Sequence, residues 1–139
     1  MLCLALMNAR TPDVPGIAAA CGYDAIYVDL EHTSTSLETA AMLCASALGA
    51  GISGLVRVPS HEPDVIARVL DNSAVGVIVP HVNSAREAKA VVDAARFPPI
   101  GHRSISGPNA VSGYQQRPAA ALTDVFERHT VVAVMIETP

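Results

Sequence analysis

Asp29-Leu30-Glu31-His32 puts two carboxylates and an imidazole at the end of the apolar run Ala25-Ile26-Tyr27-Val28. Ionisable groups resist burial unless paired, hydrogen-bonded or bound to something, so core packing does not account for them. Arg57 lies between Val56 and Val58, and Glu137 directly follows Val134-Met135-Ile136. An unpaired guanidinium inside an apolar strand is costly, and the anion favoured for Arg57 is a ligand rather than a group of the protein. For Glu137 the natural partners are a metal ion or that same arginine. His32 beside Glu31 reads equally as a base or as a hydrogen-bonded structural histidine. His61 and His81 read as ordinary loop histidines, and His102 and Arg103 as a weak signal for an anion contact.

A hard cation on carboxylates, an arginine for an acid group and a histidine as base would hold a 2-oxo acid. Together they would stabilise its enolate and move a proton. That is the chemistry of making or breaking a carbon–carbon bond next to a carbonyl. A Schiff-base route lacks its nucleophile, because Lys89, the only lysine, falls on the polar face of a helix.

These groups must be held by an alternation of strands and helices. Apolar runs at Leu2 to Leu6, Ala25 to Leu30, Ser53 to Val58, Val75 to Val79 and Val131 to Ile136 read as buried strands. Helices are expected from Pro12-Asp13 to Cys21, closed by Gly22, and from Leu37 to Leu48, capped by Ser36 or Thr35. Another starts near Pro63, a fourth runs from Ala85 to Ala95 behind Ser84, and a fifth spans Ala119 to Arg128. Between the last two, Arg96 to Arg117 is rich in proline and glycine and reads as a long loop. Strands separated by helices imply right-handed βαβ units and a parallel α/β sheet. Five such strands could form an open doubly wound sheet or the first five of a (β/α)8 TIM barrel, which usually takes about 250 residues. The sequence stops directly after a strand, so a single domain made of a truncated barrel is the expectation. In either architecture Asp29, Glu31, His32, Arg57 and Glu137 reach the C-terminal face of the sheet, where active sites form.

Bulk composition limits the alternatives. Of the 139 residues, 50% are hydrophobic and 16% charged, which suits a sheet covered on both faces. The net charge is −4 and no Lys/Arg cluster occurs, which argues against nucleic acid as a partner. The three cysteines, Cys3, Cys21 and Cys44, form no C-x-x-C pair, which fits a reducing compartment. No apolar run approaches the roughly 18 residues of a membrane span, and a cytoplasmic location is expected.

Five segments occur in one order: Val-Asp-Leu-Glu-His at 28–32, Leu-Val-Arg-Val-Pro at 55–59, Val-Ile-Val-Pro at 77–80, Arg-Phe-Pro-Pro-Ile-Gly-His-Arg at 96–103 and Ile-Glu-Thr at 136–138. In order and spacing they resemble the HpcH/HpaI aldolase family, across essentially the whole chain. The resemblance implies a (β/α)8 barrel of the pyruvate-binding type and a class II aldolase. Such an enzyme uses a divalent cation (Mg²⁺ or Mn²⁺, with Co²⁺ possible) to split 4-hydroxy-2-oxo acids into pyruvate and an aldehyde. It also implies roles. His32 resembles the catalytic base, Arg57 the pyruvate-binding and transition-state-stabilising arginine, and Glu137 one of two carboxylate metal ligands. Asp71 matches an acid that raises the basicity of the histidine. It ends a helix that should finish at the opposite face, so a neighbouring copy in a homo-oligomer would have to supply it. Asp29 and Glu31 fall into place as groups that orient His32 and a metal-bound water. Met135 stands where the family usually has a pyruvate-binding Gln, and the second metal carboxylate is expected on a following strand. A citrate-lyase-β-like lyase acting on acyl-CoA, and an inactive barrel fragment binding a carboxylate or a partner chain, are the alternative readings.

Overall fold

In the computed structural model residues 1–137 are described, and Thr138 and Pro139 lie outside them. The chain runs β1 (Cys3–Leu6), α1 (Val14–Ala20), β2 (Ala25–Asp29), α2 (Leu37–Gly49), β3 (Ser53–Arg57), α3 (Pro63–Asp71), β4 (Gly76–Val79), α4 (Ala85–Ala95), α5 (Ala119–His129) and β5 (Val131–Val134). Local chemistry sets most boundaries. The Ser36 and Ser84 hydroxyls accept from the N–H groups of Thr39 and Glu87, capping α2 and α4. Pro63 opens α3, where its missing N–H costs nothing. Gly22 turns the chain out of α1 at φ +85°.

All strands are parallel, and their spatial order is β1-β2-β3-β4-β5, the order of the sequence. A doubly wound sheet reverses direction at a switch point. This sheet never does, so its topology is that of five successive parallel strands of a barrel.

The two faces of the sheet differ. Leu6, Val28, Val56 and Val77 align across four strands with Ile26 and Val79, and all are buried beneath the helices in the main core. The helices lie close on this face. A Cβ on Gly54 would come within 2.9 Å of Cys44 Cα, so β3 can meet α2 only through glycine. The Cys44 thiol, buried at that contact, is pushed up to about 12 by desolvation and is inert. On the opposite face Tyr27, Leu55 and Ile78 are half-buried, and this face carries Asp29 and Arg57 at its C-terminal end.

Two expectations need adjusting. Strand β5 was expected to reach Ile136 but ends at Val134. Its neighbour β4 stops at Pro80, which has no N–H, so only isolated bonds from Met135 to Val79 and Val82 continue the pairing. The segment from Arg96 to Arg117 is a loop, but a packed one. It contains a 3₁₀ turn at Ala110–Ser112, and Phe97 stacks on Phe126 of α5 with ring centroids 6.0 Å apart. Arg96 reaches Glu127 at 2.7 Å. Among the described residues, no helix is long and apolar enough to cross a membrane.

Candidate active site

Asp29 and Arg57 end β2 and β3 as register partners, so their side chains leave the sheet side by side on the same face. The carboxylate is fully buried and receives Arg57 Nε at 2.9 Å and Nη2 at 2.8 Å, a two-point fork. It also accepts the main-chain N–H groups of Glu31 at 2.9 Å and His32 at 3.4 Å, which fixes the turn after β2. The hydrogen bonds from Arg57 hold the Asp29 carboxyl below the usual carboxylate range. Tyr27 lies beneath, its ring centroid 5.7 Å from the guanidinium carbon. Arg57 thus has its anion within the protein. A ligand was the anion expected there, and the protein supplies one of its own as well: strand register, invisible in the sequence alone, puts Asp29 opposite Arg57 and leaves Nη1 outside the fork.

Glu31 is the hub of the site. Its side chain is 9% exposed, with Oε2 at 3.2 Å from Arg57 Nε and 3.5 Å from His32 Nε2. Its other oxygen, Oε1, accepts from His81 Nε2 at 3.1 Å. Oε2 is enclosed, yet no hydrogen bond is directed at it among the described residues. The His32 ring itself stands 65% exposed at the rim, next to this carboxylate. The geometry suits a base that takes a proton from a molecule arriving from solvent.

His81 is the residue that the sequence reading passed over. It follows Pro80 at the end of β4 with φ +54°, and its ring joins Glu31 to Glu137. Glu137 Oε2 accepts the His81 main-chain N–H at 3.0 Å and lies 3.3 Å from Nδ1. Glu137 is therefore paired with His81 and not with Arg57. The one available signal was Pro80, which stops β4 at the rim where the other polar groups gather. His61 does behave as a structural histidine, donating to the Pro80 carbonyl.

Residues 4–139 match the family model for HpcH/HpaI aldolase/citrate lyase. The chain belongs to this family. It is 39% identical over 136 residues to the 4-hydroxy-4-methyl-2-oxoglutarate aldolase of Hapsidospora irregularis, covering 96% of this chain and 50% of the relative. It is 41% identical over 100 residues to the 4-hydroxy-2-oxovalerate aldolase of Novosphingobium aromaticivorans, covering 71% of this chain and 38% of that one. Among solved structures, the HpcH/HpaI aldolase from Desulfitobacterium hafniense superimposes with a TM-score of 0.88 at 28% identity, over 96% of this chain and 51% of its own. The chain spans about half the length of the curated relatives it matches.

Not every residue that the family resemblance singles out joins this group. Asp71, at the end of α3, receives Arg103 Nη2 at 2.7 Å. Arg103 is buried, with its guanidinium carbon 4.7 Å from the Phe97 ring centroid, so its anion is Asp71 and not a ligand. His102 is exposed and its main chain is tied to Asp93. Met135 contributes main-chain bonds to Val79 and Val82, and its side chain is half-buried. Among the described residues, no three carboxylate, imidazole or thiolate groups are arranged to hold a metal ion.

Proposed function

We propose that this chain supplies the base and the carboxylate-binding cation of an aldolase that splits 4-hydroxy-2-oxo acids into pyruvate and an aldehyde. The observation that carries the reading is Glu31, which touches His32 Nε2 and Arg57 Nε with a single oxygen. One side chain thereby spaces a solvent-facing imidazole from a guanidinium whose remaining nitrogen is not held by Asp29. Arg57 binds the 2-oxo acid and disperses the charge of its enolate. His32 takes the proton of the C4 hydroxyl, the C3–C4 bond breaks, the aldehyde leaves, and the enolate is protonated at C3 to give pyruvate.

A divalent cation (Mg²⁺, Mn²⁺ or Co²⁺) belongs to the proposal, with Glu137 as one ligand and the rest of the set from outside residues 1–137. When bound it would polarise the 2-oxo group. Asp71 belongs to it only through a neighbouring copy in a homo-oligomer, and a cytoplasmic location fits the free cysteines. The test is pyruvate release from a panel of 4-hydroxy-2-oxo acids, with Mg²⁺ or Mn²⁺ and after chelation. Release that depends on cation, His32 and Arg57 is the expected result, and full activity without any cation would overturn the metal-dependent reading. Cleavage of an acyl-CoA thioester instead would place the chain with the citrate lyases of the family.

A further inference from the structure

We propose that His81 is a positioning residue that clamps the carboxylates following β2 and β5 into one site. Three observations converge on it. First, the main chain leaves the sheet at this point. Val79 O accepts from Met135 N and Val82 N donates to Met135 O, so Pro80 and His81 bulge out between two bonds to the same residue. Second, His81 holds φ +54°, a conformation that a residue with a Cβ adopts only at a cost. Third, that conformation aims its donors at two different carboxylates. The main-chain N–H donates to Glu137 Oε2 at 3.0 Å, and ring Nε2 donates to Glu31 Oε1 at 3.1 Å.

Glu31 lies beyond β2 and Glu137 beyond β5, with β3 and β4 between them. His81 pairs with both. Glu31 in turn meets His32 and Arg57, so the clamp fixes where the base and the guanidinium stand relative to Glu137. The ring is 57% exposed and adds little to the core, so strain at this position finds its explanation in the contacts and not in packing. As far as the reaction is concerned, the role rests on the lyase reading above.

The experiment compares His81→Gly and His81→Gln in the full chain. Glycine accepts the positive φ and keeps the main-chain N–H, while removing the ring. Glutamine restores an N–H donor at about the reach of Nε2. Carboxylate ¹³C resonances of Glu31 and Glu137, assigned through Glu31→Gln and Glu137→Gln, read the contacts without any turnover. His81→Gly should shift both, and His81→Gln should return the Glu31 resonance towards its original position. In the pyruvate assay, His81→Gly should lower kcat by about tenfold or more with KM little changed, as expected for loss of a charge-assisted hydrogen bond. His81→Gln should recover most of it, with the melting temperature of all three proteins alike. Unmoved resonances, or an unchanged kcat in His81→Gly, would overturn the proposal. An original chain without lyase activity overturns the functional reading, and the carboxylate resonances then decide the clamp alone.

Discussion

Asp29 and Arg57 face each other in register at the ends of adjacent parallel strands, and both carboxylate oxygens are taken by the guanidinium. Removing one partner of such a pair leaves the other charge enclosed. Asp29→Ala also frees the N–H groups of Glu31 and His32. The substitution is expected to cost about 3 kcal/mol of stability, the usual scale for a broken buried pair. Denaturant midpoints measure it. A loss below about 1 kcal/mol, the range of an exposed pair, would mean that Glu31 replaces Asp29 as the partner.

The same pair sets an acid limit. The Asp29 carboxyl titrates below its unfolded value, so the folded state prefers the ionised form. Its contribution is present above the unfolded value of about 4 and is lost as pH falls through the lower folded value. Stability measured from neutral pH downward should therefore decline below about pH 4. In Asp29→Asn that limb should flatten, and an identical acid profile would refute the assignment.

His32 separates activity from stability. Its ring is 65% exposed, so His32→Ala should leave unfolding within about 0.5 kcal/mol, as for other surface changes. Pyruvate release should fall by a factor of about 10² to 10⁴, the range for loss of a general base. Retained turnover would return His32 to the structural reading.

Asp71 is tested by mixing. Asp71→Asn leaves buried Arg103 facing a neutral partner, and a loss of about 2 kcal/mol is expected from that alone. If Asp71 also serves the His32 of a neighbouring copy, co-expressed His32→Ala and Asp71→Asn chains should regain activity that neither has alone. Mixed oligomers with no more activity than either parent would confine Asp71 to its pairing with Arg103.

The βα rhythm was legible because its signals are local. Ser36, Ser84, Pro63 and Gly22 punctuate the chain through their own backbone chemistry. The site was legible only in part. Asp29, Glu31, His32 and Arg57 announce themselves as polar groups at strand ends, but their partners depend on register and on strand order. Arg57 finds Asp29 because β2 and β3 pair without offset. Arg103 finds Asp71 because the loop after α4 folds back onto the end of α3. His81 was the hardest to read, since a positive φ on a residue other than glycine and a contact that skips a strand leave no mark in local sequence.

Glu31 Oε2 is enclosed, 3.2 Å from Arg57 Nε and 3.5 Å from His32 Nε2, with no hydrogen bond directed at it among the described residues. An oxygen so enclosed senses a guest mainly through the side chains around it. One oxygen thus couples two groups: a shift of the His32 ring or of the Arg57 guanidinium changes the electrostatic surroundings of the other through Glu31.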